Sequence, residues 1–228
     1  MRSSGSIMKW SNQNKRILIL TGGYVSDRLL KALTGKEQYS FIIAADKGLS
    51  AAKRIGLVPD YIIGDFDSVP SDVLSEYKEK GVPVETFPSM KDKTDTHIAL
   101  DMAIGLEPLF IDIVGATGSR MDHAISNIEL LINALKRNIK ARILDENNCI
   151  YLKDKSFSIK KSRQYGNFIS LLPFSNRVTG LKLVGFKYPL NGITLDKGIS
   201  LGISNELIAD EGIVEFDEGI LTVIESRD

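Results

Sequence analysis

Apolar runs that alternate with helix-patterned segments constrain this chain more than any other feature of its sequence. "RILIL", "SFIIAA", "DYIIG" and "PLFIDIV" are continuous apolar stretches, each closed by glycine or by acidic residues. Between them lie "VSDRLLKALTG", with Val25, Leu29, Leu30 and Leu33 at helical spacing, then "LSAAKRIGL", "SDVLSEYKEKG" and "TDTHIALDMAIGL". "DHAISNIELLINALKRN" is the longest helical pattern, and "PVETFPS" reads as a short extended piece. Ser71 reads as the N-cap of the third helix, with Gly81 past its end. Strands that do not alternate apolar with polar are buried on both faces, which predicts a parallel sheet covered by helices.

After about Lys140 the texture changes. "KARILDENNCIYLKDKSFSIKK", "NFISLLPF", "VTGLKLVGFKYPL", "ISLGISNEL" and "GIVEFDEGILTVIES" are short β-like segments parted by Asn, Gly, Pro and Asp clusters. That pattern predicts an antiparallel β-sandwich. The expected organisation is a polar, flexible tail over residues 1–15, an α/β nucleotide-binding domain over 16–139 and an all-β sandwich over 140–228.

Composition narrows the function. Lys plus Arg and Asp plus Glu both number 29, so the formal net charge is zero. A nucleic-acid binder normally carries a basic excess, so any anionic partner is expected to be a small ligand met locally. The chain is 43% hydrophobic and has one cysteine, Cys149, which cannot form a disulfide within the chain. No apolar run reaches the ~18–20 residues of a membrane span, and the first residues lack the apolar middle of a secretory leader. The expected compartment is the cytoplasm.

In open α/β sheets ligands bind outside the carboxyl ends of the strands, and the unusual polar residues follow the apolar runs there. In "GDFDS", Asp65 and Asp67 would face one side if the strand ran on through them. Two such carboxylates repel unless a cation bridges them, and Mg²⁺ takes carboxylate oxygens together with substrate phosphates. A polar turn ahead of Pro70 is the competing reading. "KDKTD" enters a helix, so Thr94 or Asp92 reads as an N-cap; alternatively Asp95 is a third metal carboxylate and Lys91 meets phosphate. "VGATGSRMDHAISN" places glycines between a strand and a helix, where backbone N–H groups and the helix start attract an anion, and Arg120 adds a planar donor fork. It lacks the Gly-Lys-Ser/Thr of a Walker A loop and the third glycine of a dinucleotide fingerprint. His123 falls beside Arg120 and Asp122, and His97 reads as structural or exposed. Ser204 and Asn205 read by themselves as turn residues.

The ordered set Ala45-Asp46-Lys47-Gly48, Gly64-Asp65-Phe66-Asp67-Ser68, Asp92-Lys93-Thr94-Asp95, Gly115-Ala116-Thr117-Gly118-Ser119-Arg120-Met121-Asp122-His123 and Ser204-Asn205-Glu206 resembles the thiamine pyrophosphokinase family. The resemblance runs from about Arg16 to the C-terminus. It implies transfer of diphosphate from ATP to the hydroxyl of thiamine, with AMP leaving, in a homodimer whose sites lie between subunits. It further implies that Asp65, Asp67 and Asp95 are the Mg²⁺ and catalytic carboxylates. Asp46, Lys91, Asp92, Thr94, Arg120, Asp122 and His123 would bind ATP, with Arg120 also catalytic, and Ser204 and Asn205 would bind thiamine. A Mg²⁺-dependent nucleotide hydrolase and a nucleotide- or thiamine-binding protein without turnover are the competing expectations.

Overall fold

A computed structural model describes residues 15–37, 39–67, 69–88 and 92–228. Most of the expected tail, together with Lys91, lies outside the described residues. The first half runs β1 (Arg16–Leu20), α1 (Asp27–Lys36), β2 (Phe41–Ala45), α2 (Gly48–Arg54), β3 (Tyr61–Gly64), α3 (Ser71–Glu79), β4 (Val84–Thr86), α4 (Asp95–Gly105), β5 (Phe110–Val114) and α5 (Met121–Leu135). The second half holds β6 (Lys140–Leu144), β7 (Asn148–Lys153), β8 (Phe157–Lys160), β9 (Phe168–Pro173), β10 (Arg177–Val184), β11 (Leu190–Asp196), β12 (Glu211–Glu215) and β13 (Leu221–Ser226). A 3₁₀ turn, Lys161–Arg163, lies between β8 and β9.

Among the described residues the strands form two sheets. The larger has the order β4-β3-β2-β1-β5-β6-β7-β13-β9, and the smaller β11-β10-β12-β8. Every pairing from β4 to β6 is parallel, as the apolar runs predict. Residues on β1 alternate between the two helical layers. Ile17 and Ile19 pack with α4 and α5 through Ala99, Leu100 and Leu131. Leu18 and Leu20 pack with Leu30 of α1 and Ala51 and Ala52 of α2 on the other face. All four β1 side chains are almost fully buried, and each such burial stabilises by about 1.5–3 kcal/mol.

The sheet does not break at the expected 139/140 boundary. β6, expected to begin the sandwich, pairs with β5 in parallel, and β7 then reverses direction against β6. β7, β13 and β9 continue the sheet antiparallel. The sandwich forms where the small sheet covers this end, burying Val178, Leu181, Leu195 and Val214 against Ile169, Leu171, Leu221 and Val223. The segment "ISLGISNEL" is mostly loop rather than strand. Ser71 is the first residue of α3, and Pro70 occupies the cap position.

Candidate active site

The strand order fixes where a crevice must open. The chain leaves β1 for β2 on one side, whereas β5 continues to β6 on the other. The loops after β1 and β5 therefore diverge at a topological switch point. A cavity of about 380 Å³ lies there. Its walls are Gly22 and Gly23 after β1, Asp46 and Lys47 after β2, Thr94 to Thr96 at the start of α4, and the Gly115–Arg120 loop with His123.

Glycine is required in two of these walls. The Gly23 N–H donates to the Gly115 carbonyl at 2.9 Å, and a Cβ on Gly23 would stand 2.2 Å from that oxygen. Gly115 has φ +77°, a left-handed value that favours glycine, and its Cβ would lie 2.6 Å from the Thr21 carbonyl. The loop after β5 is pinned at two further points. Buried Asn127 donates Nδ2–H to the Ala116 carbonyl at 2.8 Å. Thr117 donates its hydroxyl to Asp145 Oδ2 at 2.7 Å. The loop thus delivers its backbone and the positive end of the fifteen-residue helix α5 to the cavity.

Asp46 is the electrostatic centre of the site. It has φ +47°, a left-handed conformation that Asp tolerates better than most residues. Its Oδ1 is buried and has no hydrogen-bond partner. Burial pushes its carboxyl above the usual carboxylate range, the Lys47 backbone N–H pulls it back, and nearby Asp95 and Asp65 raise it further. Three carboxylates therefore act on one space, with Lys47 as a cation in the wall.

Among the described residues, no three His, Cys, Asp or Glu side chains stand close enough to enclose a metal unaided. The expected set of Asp65, Asp67 and Asp95 is therefore not a preformed cage. β3 stops at Gly64 and Phe66 turns left-handed at φ +61°, so the strand does not carry Asp65 and Asp67 to one face. The Asp65 carboxylate instead accepts the Asp67 N–H at 3.2 Å, and Asp67 is exposed. Thr94 caps α4 by accepting the His97 N–H at 3.2 Å, which leaves Asp92 exposed ahead of the helix. His97 sits 3.6 Å from Asp101 along α4, in keeping with a structural role.

Arg120 precedes α5 and grips Asp122 with two hydrogen bonds, Nε to Oδ1 at 3.2 Å and Nη2 to Oδ2 at 2.5 Å. That pairing holds the Asp122 carboxyl below its ordinary range. Ser204 and Asn205 lie in the β-rich half. Asn205 is 4% exposed. Its Oδ1 accepts from the Tyr188 and Glu206 N–H groups, and its Nδ2 donates to the Tyr188 carbonyl. The side chain thus fastens the Tyr188 loop, which is the turn reading made strongly. The Ser204 N–H donates to Ser170 Oγ at 3.0 Å. Cys149 is 3% exposed and burial pushes its thiol up to about 12, so it is no nucleophile.

The sequence reading missed Gly22, Gly23, Thr21 and Asn127 as parts of this wall. The paired glycines directly after β1 were the available signal. Asn127 closes the singled-out "VGATGSRMDHAISN" stretch, but its role in pinning the loop was not assigned there.

Comparison with known proteins gives a consistent picture. Residues 34–143 match the family model "Thiamin pyrophosphokinase, catalytic domain", and residues 156–221 match "Thiamin pyrophosphokinase, vitamin B1 binding domain". A thiamine pyrophosphokinase from Bacillus subtilis is 38% identical over 94% of this chain and 100% of its own length. The crystal structure of thiamine pyrophosphokinase from Bacillus subtilis superposes with a TM-score of 0.85, covering 94% of this chain and 100% of that one at 37% identity. That of the Geobacillus thermodenitrificans enzyme does so at 0.80, covering 93% and 98% at 34% identity. The yeast thiamin pyrophosphokinase, at 16% identity and a TM-score of 0.76, shares the fold. With both models matched in order and a relative aligned over its whole length, this chain belongs to the thiamin pyrophosphokinase family.

Proposed function

We propose that the cavity between β1 and β5 seats the ATP diphosphate and that Asp46, Asp65 and Asp95 organise it. The enzyme is an ATP-dependent diphosphotransferase that forms thiamine diphosphate. The observation that carries the site assignment is the buried, unpartnered Asp46 Oδ1 in the field of two further carboxylates, at the glycine-walled crevice. Such an oxygen is costly unless something pairs with it when substrate is present. The all-oxygen donor set fits a hard divalent cation, and Mg²⁺ is the ion proposed. Asp46, Asp65 and Asp95 would hold it, with Asp67 adding charge from the exposed side of the same turn. When bound, such an ion neutralises phosphate oxygens as charge builds in the transition state.

The chain's own residues supply the rest. Backbone N–H groups of the Gly115–Gly118 loop, with the start of α5, attract the phosphates. Arg120 can exchange its exposed Asp122 partner for a phosphate, since both offer two oxygens to a planar fork. Lys47 and Lys91 add positive charge, while Thr94, Asp92, Asp122 and His123 border the nucleotide. Thiamine is proposed to meet the Ser204 loop, with Asn205 holding that loop in shape rather than touching the ring. Tyr188, Ile199, Leu201 and Ile203 are large exposed apolar side chains around it. They support a homodimer in which a second copy covers this surface. On this reading residues 16–139 handle the nucleotide and 140–228 the thiamine. Among the described residues no helix is long and apolar enough to cross a membrane, and we place the enzyme in the cytoplasm.

The decisive assay incubates the protein with ATP, Mg²⁺ and thiamine and resolves the products. Thiamine diphosphate and AMP in equal amounts are expected. ADP with thiamine monophosphate would exclude diphosphoryl transfer, and nucleotide loss without thiamine would favour a hydrolase. Binding without turnover would favour a sensor.

A further inference from the structure

A second cavity, of about 350 Å³, opens at the opposite edge of the large sheet. It lies by the amino ends of β1, β5 and β6 and the far end of β7. With about 3.3 Å per residue, a five-residue strand separates the two edges by roughly 13 Å. Cationic and aromatic side chains dominate its rim. Arg16 and Lys140 both lie over the Phe110 ring, at 4.6 and 5.1 Å from its centroid. Lys153 lies over Tyr151 and Phe157, at 5.6 and 5.3 Å. Lys155 is exposed beside them.

These cations differ in how they are neutralised. Arg16 is satisfied by Asp112 and Glu37, and Arg142 by Asp112. Among the described residues, Lys140, Lys153 and Lys155 form no ion pair; Asp154 acts on Lys153 only through its longer-range field. The ring contacts hold the Lys140 and Lys153 ammonium groups in place but leave their charge standing. Burial lowers the Lys153 amine, and the neighbouring Lys140 lowers it further. Lys140 is exposed at the mouth and Lys153 is partly buried, and among the described lining residues Lys140, Lys153 and Lys155 face a single carboxylate, Asp154, so a positive excess stands in the cleft. A bound anion would offset it.

We propose that this cavity is a second ligand site, distinct from the catalytic crevice, for a small anion of two or more charges held by Lys140 and Lys153. Phosphorylated and polycarboxylate molecules share that chemistry, and the cavity volume suits either. The ring faces flanking the lysines favour a ligand with little bulk beyond its charged groups, since the ammoniums already cover them.

The test uses the full chain with ¹³C-labelled lysine, the Lys140 and Lys153 side-chain NMR signals being assigned through Lys140→Gln and Lys153→Gln. Inorganic pyrophosphate and citrate are titrated separately at constant ionic strength. Saturable shifts of both signals are expected with at least one probe, and which probe acts identifies the source. Each single variant should weaken the response of the remaining lysine about tenfold, the worth of one charge-assisted contact. Thiamine diphosphate formation by Lys140→Gln/Lys153→Gln, measured without added anion, should equal wild type, which separates this site from the catalytic one. Signals unmoved by either probe up to millimolar concentration would overturn the proposal. So would shifts that chloride alone reproduces.

Discussion

Asp112 offers a sharp test of what holds β5 in place. It lies on β5, three residues before Gly115, and is 1% exposed. Its carboxylate accepts four hydrogen bonds: Arg142 Nε at 2.6 Å and Nη2 at 3.2 Å, Arg16 Nη1 at 3.1 Å and the Tyr39 hydroxyl at 2.8 Å. Asp112→Ala would strand two guanidinium groups beside an apolar sheet. Breaking a buried ion pair costs about 3–5 kcal/mol, because the surviving charge is uncompensated. Two features favour the low end. The Arg16 and Arg142 side chains are 19% and 34% exposed, and Arg16 retains Glu37 at 3.3 Å. We therefore expect a loss of about 3 kcal/mol, a fall in Tm of roughly 6–12 °C for a chain of this size. Urea titration and calorimetry would measure it. Asp112→Asn keeps an acceptor and the shape, and should lose about half as much. Asp112→Leu with Arg142→Met removes both charges and should be less damaging than Asp112→Ala. If Asp112→Ala costs under about 1 kcal/mol, the reasoning fails and the network is incidental to the sheet.

Two more outcomes follow from the crevice. Asp46→Asn should stabilise the substrate-free protein at neutral pH while abolishing diphosphate transfer. A carboxyl raised by burial is stabilising when protonated, so its contribution is present at low pH and lost as pH rises through the folded pKa. The gain of the Asn variant should therefore shrink on acidification, and an unchanged gain across that range would refute the assignment. Gly23→Ala should fail to fold normally or lose all turnover, because its Cβ meets a backbone carbonyl at 2.2 Å; circular dichroism and the product assay distinguish these from a tolerated change.

The parallel half of the fold was legible because its strands are short, continuous and apolar on both faces. The fate of "KARIL" was not. A strand's own residues do not state which neighbour it takes, and β6 pairs in parallel with β5. The site was legible as a set of strand ends, but the way it converges was not. A turn ahead of Pro70 was one of two readings of "GDFDS", but a left-handed Phe66, rare for a bulky side chain, was not readable. Asp46, just after β2, lies in the field of Asp65 and Asp95, a grouping the strand pattern did not predict. Ser204-Asn205 shows the reverse. Its turn chemistry was readable, and the structure adds that the Asn205 side chain is spent on the Tyr188 loop.

The unbroken large sheet limits how this enzyme can move. Enzymes with two covalently linked lobes often close on substrate by bending at the linker. Here bending at the corresponding place would tear the β6–β7 ladder, whose partners run from Arg142–Tyr151 to Leu144–Cys149. The parallel half and the antiparallel end are one beam rather than two jaws. Opening and closing of the crevice must fall to the loops at its rim.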